Sequence, residues 1–212
     1  MKKVLLSFFA LAISLNVFAQ LSKADITNGD NEITWLGVDF TQLKFIGSAT
    51  QWKDAGEISN SQLRDKYFPA WNNLFINEQK KYNVADAVGR AEVKYALDVT
   101  EKANNGIKGD LFSEDPNDYS RLTDQKIAQL VGKYDYQGNK GIGMLLFAES
   151  FSKGKEEGAI WVTFVDMNTR KLLLTKKLNE PAGGFGFKNF WAKTLFGALK
   201  DTGKNLKKWS KG

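Results

Sequence analysis

Four carboxylates, Asp39, Asp98, Glu149 and Asp166, lie in or at the ends of stretches that read as β-strands, and by type they are the groups best suited to acid and base chemistry. Two such groups facing one cleft, one with a raised pKa, can hydrolyse a glycoside. The chain has no histidine and no cysteine. Triads with an imidazole base, His-ligated zinc, thiol nucleophiles and thiolate metal sites are therefore excluded. A carboxylate-dependent hydrolase of glycoside type is the enzymatic alternative that survives. The plainer reading places each acid at a strand end or against solvent, with no catalytic residue, no metal and no cofactor. A cleft holding two of the four within about 5–10 Å would favour the enzyme.

Asp110, Glu114, Asp115 and Asp118 crowd one polar stretch and supply enough hard oxygens for calcium. Their spacing is not that of an EF-hand, which needs glycine at the sixth place and glutamate at the twelfth. A solvated acidic loop is the expectation. Gly183, Gly184 and Gly186 precede Lys188 and Trp191 where a strand passes into a helix. Free N–H groups and the helix dipole could hold an anion there. The spacing is not that of a phosphate-binding Walker loop, and a tight turn explains the glycines equally.

The last helix places Lys188, Lys193, Lys200, Lys204, Lys207, Lys208 and Lys211 against the single acid Asp201. Beside Phe187, Trp191, Leu195 and Leu199, such a face could lie weakly on anionic lipid. Packing of the aromatic stripe on a sheet, with the lysines left to water, is preferred. Exposure of Trp191 and Phe187 would reverse that preference.

These groups need elements to hold them. Glu32–Gly47 reads as a first long strand whose alternation slips near Gly37, where a bulge restores register. Ser59 and Gln62 form a capping box, and Ile58 can staple on Leu63. The helix that follows contains Pro69, which removes a donor and predicts a kink or a two-piece helix. Ala91, Val93, Tyr95, Leu97 and Val99 alternate as a half-buried strand, with a helix over residues 84–100 as the competing reading. Residues 104–121 read as an exposed loop. Thr123 then caps a second helix, with Leu122 stapling on Ile127. Gly141–Glu149, Ala159–Asp166 and Lys171–Leu178 are joined by short connections, which predicts an antiparallel meander before the final helix. The class is α/β, drawn as two-layer α+β: a mixed sheet of about five strands with helices packed on one face.

Lys2 and Lys3, the apolar run Val4–Leu15 and Val17-Phe18-Ala19 before Gln20 read as a secretory signal cleaved after Ala19. Residues 20–212 then form a single domain, soluble in the periplasm or outside the cell. Loss of Lys2 and Lys3 lowers the formal charge of +6 by two. That is too little to imply nucleic acid, and without cysteine no disulfide forms.

The element order, with Gly143-Met144-Leu145-Leu146-Phe147 followed by Trp161-Val162-Thr163-Phe164-Val165-Asp166, resembles the small α/β domain of exported envelope proteins. In that group the TolB amino-terminal domain and the CsgG-like secretion lipoproteins also end in an antiparallel meander followed by a helix, although the lipoprotein cysteine and the usual turn glycine near Asn168 are missing here. The resemblance implies a scaffold or binding domain of the envelope and carries no catalytic residue. A non-catalytic exported protein that binds another envelope component is the leading expectation.

Overall fold

The computed structural model describes residues 20–47 and 58–211. The signal-peptide reading of residues 1–19 lies outside them. The strands are β1 (Ile33–Asp39), β2 (Lys44–Ile46), β3 (Lys94–Tyr95), β4 (Phe112–Ser113), β5 (Ile142–Ser152), β6 (Glu157–Asp166) and β7 (Lys171–Pro181). All seven join one mixed sheet, so the α/β class is as expected.

The seven segments occupy five lanes. β1 pairs with residues 142–147 of β5 and β2 with residues 150–152, both in parallel, so they lie end to end along the same strand. The single strand predicted over 32–47 is broken because the chain turns at Phe40, whose carbonyl accepts from Leu43 N–H. β3 and β4 repeat this arrangement one lane further out, parallel to β1 and β2. On its other edge β5 pairs antiparallel with β6, and β6 with β7. Only this part of the sheet has the meander connectivity; β5 belongs to both halves.

Gly37 carries the bulge, at φ +99°, where register with β5 slips between Trp35 and Gly37. A side chain there would be strained by the left-handed backbone and would lie 2.8 Å from Asn72 Oδ1 and 2.9 Å from Leu97. Beyond the bulge β3 no longer covers β1, and side chains complete the sheet edge. Thr100 Oγ1 donates to Leu36 O at 2.6 Å. Asn72 takes both backbone groups of Val38, at 2.7 and 3.1 Å. Asn104 accepts from Phe40 N–H and donates to Val38 O. Buried backbone groups must be paired, and here helix side chains pair them.

The helices lie on both faces of the sheet, which corrects the one-faced, two-layer expectation. One face presents Trp35, Val38, Met144, Leu146, Ile160, Val162 and Phe164 to the segment Asn60–Asn77 and to α7 (Phe187–Trp209). The other presents Leu36, Leu145, Phe147, Trp161 and Val165 to α6 (Asp124–Lys133) and to Val99 of α5 (Asp98–Asn105). β5 and β6 are apolar on both parities because both faces are covered.

Local chemistry explains the helix starts. Ser59 and Gln62 form the predicted capping box at α1 (Asn60–Gln62), and Thr123 caps α6. The missing Pro69 donor is absorbed by a π-turn over Leu63–Tyr67, in which Phe68 N–H reaches back to Leu63 O, and α2 (Phe68–Asn72) restarts with proline in its first turn. α3 (Leu74–Asn77) continues that segment, and α4 (Val84–Ala87) follows with its cap at Asn83. The strand expected over Ala91–Val99 shrinks to β3, and the helix over 84–100 does not form either. Arg90 pins the chain between α4 and β3 by bonding the carbonyls of Ile26, Asn28 and Asn31. The loop expected over 104–121 is mostly irregular, as read, yet Leu111 and Tyr119 are buried in it. α7 runs unbroken through Gly203, which packs beside Ala87 of α4, and Leu206 is buried beyond it.

Candidate functional site

The four predicted acids do not converge on a cleft. Asp98 is exposed at the first position of α5. Asp166 is buried in the β6–β7 turn, where it accepts from the N–H groups of Asn168 and Thr169 and from Thr169 Oγ1. An Asx-type turn explains it fully. Asp39 and Glu149 do share the α6 face of the sheet, Asp39 standing opposite Phe147 and Glu149 lying two residues further along β5. Each, however, is closed off by its own donors.

Asp39 ends β1, is 1% exposed, and accepts from Thr41 N–H and from the Tyr134 hydroxyl. Burial pushes its pKa up, and the two hydrogen bonds oppose the shift. Burial and the neighbouring Asp39 charge push the Tyr134 phenol well above its ordinary value. Glu149 is 0% exposed and is held on all sides. It accepts from the N–H groups of Arg121 and Leu122 and from Trp161 Nε1, and pairs with Lys177 Nζ at 2.8 Å. The residues that hold it belong to the segment before α6 and to β6 and β7. Glu149 is a clamp that fixes the 114–122 segment on the sheet.

The acidic stretch is likewise spent on local structure. Asp110 accepts from Phe112 N–H and Asn60 Nδ2, which hold its pKa below the usual carboxylate range. Asp115 caps the short helix Pro116–Tyr119, Asp118 takes the Ser113 hydroxyl, and Glu114 is exposed. Among the described residues, no group of three or more acids is arranged to hold a metal ion.

The glycine segment is a turn. Gly183 N–H donates to Phe190 O and Gly186 O accepts from Phe190 N–H, so the segment folds back on the first turn of α7. Lys188 gives its carbonyl to Trp71 Nε1. Trp191 is 0% exposed and stacks on Phe151 at 4.7 Å, which makes it core and removes it from any surface site. Phe187 is half-buried against Tyr67. Lys193, Lys200, Lys204, Lys207, Lys208 and Lys211 remain on the solvent side of α7. By the exposure criterion, the membrane reading loses its aromatic stripe. No helix among the described residues is long and apolar enough to cross a membrane.

A concavity that the sequence did not point to lies where the outer lane is interrupted. It has a volume of about 350 Å³ and is formed by Thr41–Lys44, the Gly106–Leu111 segment and Arg121. Its cations are largely occupied: Lys44 Nζ donates to Asp110 O, and Arg121 bonds Gln42 O, Glu149 O and Asp118 O. Such a cleft is polar and braced, and it presents no nucleophile beside a base. Thr41–Lys44 lies about 60 to 80 residues before the rest of the lining, with no shared spacing to betray it. No family model matches this chain, no curated protein is similar to it, and no solved structure matches it.

Proposed function

We propose that the chain is a non-catalytic protein of the bacterial envelope, exported to the periplasm or beyond, that works by binding another envelope protein. The observation that carries this reading is the internal engagement of Asp39, Glu149 and Asp166, each hydrogen-bonded by groups of its own fold. A general acid or base needs a path to substrate, and these carboxylates have none facing a cleft. Export supports the reading from the sequence side, through the pattern of residues 1–19. The buried chemistry builds the fold, and the surface is left to do the work.

The test is co-purification from the envelope of producing cells, followed by reconstitution from purified components. A captured protein that forms a stoichiometric complex with this chain, undiminished by D39N, supports the reading. Glycoside hydrolysis abolished by D39N or E149Q in a folded variant would overturn it in favour of the enzyme.

A further inference from the structure

Among the described residues β7 pairs only with β6, so one long side of the sheet is open. The hydrogen-bond phase of that pair shows which groups face out. Ala182 N–H donates to Glu156 O at 2.7 Å, which makes this a hydrogen-bonded pair. Alternation through the registered pairs Gly158↔Glu180, Ile160↔Leu178 and Val162↔Lys176 turns those backbone groups toward β6. Thr175, Lys177 and Asn179 therefore point N–H and C=O away from the sheet; Thr175 is buried, which leaves Lys177 and Asn179 as the accessible pair. Pro181 has the same outward phase, so its missing N–H removes no ladder bond. The opposite side of the sheet offers nothing comparable, because β3 and β4 are two residues each and side chains take the groups of β1 beyond them.

We infer that this edge of β7 receives an extended acidic segment of a partner protein as an added strand, held by the main chain of Lys177 and Asn179. The inference rests on the binding reading above and names the partner's chemistry. Main-chain pairing supplies affinity in such additions and side chains supply selectivity. Here β7 exposes Lys176 within the edge and Lys171 just beyond its bulge, Lys177 is paired with Glu149, and the strand's one acid, Glu180, is buried behind α7. A second copy of the chain fits poorly. Antiparallel self-pairing centred on Lys176 sets Lys176 directly opposite Lys176, and centring on Lys177 leaves the two Lys176 side chains diagonal neighbours, so like charges repel in either register. The bulge at Leu173 and Pro181 bound the usable edge at both ends. A strand with acids at alternate positions meets none of these obstacles.

The probe is a fluorescein-labelled peptide of about ten residues alternating valine and glutamate, read by anisotropy and by amide hydrogen exchange of the full chain. Saturable binding that protects the Lys177 and Asn179 amides is the expected result. N179P, which removes one outward donor at an exposed residue, and K176E should each weaken binding by about tenfold. Circular dichroism checks that both variants fold, and K176E retains every backbone donor, so one arm survives if proline distorts the strand. Equal binding to K176E, equal binding of a valine–lysine peptide, or protection elsewhere than β7 would overturn the inference. A concentration-dependent dimer abolished by N179P would also overturn it, by naming a second copy as the occupant. A purified envelope partner that binds N179P and K176E as well as it binds the parent chain would sink the edge and leave the broader binding reading standing.

Discussion

Asn72 joins Val38 as a neighbouring strand would, its amide oxygen accepting from Val38 N–H at 2.7 Å and its amide nitrogen donating to Val38 O at 3.1 Å. The side chain comes from α2, yet it performs the task of a ladder residue at the point where β3 has ended. Because Asn104 and Thr100 extend the same row, the outer lane can be interrupted without leaving β1 unsatisfied. That interruption creates the cleft between Thr41–Lys44 and Gly106–Leu111.

Truncating this amide should therefore act as loss of strand pairing. N72A strands the buried N–H of Val38, while its C=O keeps the Asn104 amide at 2.9 Å, and an unmet buried group costs about 1–3 kcal/mol. A loss of about 1–3 kcal/mol in urea denaturation is expected. T100V should cost less, because it removes the one donor to Leu36 O and keeps the side-chain volume. Equal stability of N72A and the parent chain would show that water replaces the amide.

The bulge beneath this network makes Gly37 hard to replace. G37A meets a left-handed backbone and side-chain atoms within 3 Å, among them the Asn72 oxygen that pairs Val38. Strain at such a position costs about 1–3 kcal/mol before the contacts are counted. G37A should lose more stability than N72A, and hydrogen exchange should show Val38 and Phe40 opening first.

How far the sequence leads is clear from these same residues. The slip in alternation at Gly37 announces the bulge, and Ser59, Gln62 and Thr123 announce their helix starts, because those signals are local. Asn72, Thr100 and Asn104 announce nothing, since their partners lie 34 to 66 residues away. The break at Phe40–Leu43 is hidden for a related reason: Phe40, Leu43 and Phe45 keep a strand's composition while the chain turns. Among the candidate acids, type and position in a strand were legible, but the donors that close Glu149 come from three separate elements. Helices on both faces were foreshadowed by the run Met144–Phe147, apolar on both parities, although the element order alone is compatible with one covered face.

Glu149 should prove structural by the size and place of its effect. E149A leaves Lys177 without its counter-charge and exposes no acceptor to Arg121 N–H, Leu122 N–H or Trp161 Nε1. Removing one member of a buried ion pair costs about 3–5 kcal/mol. The Arg121 and Leu122 amides should exchange faster while those of β1 keep their protection relative to global unfolding. E149Q should recover only part of the loss, since its NH₂ faces two donors, Trp161 Nε1 and Lys177 Nζ.

Glu180 gives the fold a pH dependence whose sign can be worked out. It is 7% exposed, and its carboxylate lies against Gly197 of α7. Burial raises its pKa to about 7, Asp201 and Glu157 add to the rise, and Lys204 opposes it. The folded chain thus keeps a proton that the unfolded chain, with the ordinary carboxyl value near 4.5, has released. Protonation favours the folded state, so this contribution is whole below about 4.5 and is lost as pH rises through about 7. E180Q holds the neutral form at every pH. The difference in unfolding free energy between E180Q and the parent chain should grow across that window, to about 1–3 kcal/mol at its upper end. It should then stay level, because nothing further titrates at this position. A difference that is constant from acid to alkaline pH would mean that Glu180 reaches water in the folded chain and that α7 stands further from β7 than the Gly197 contact implies.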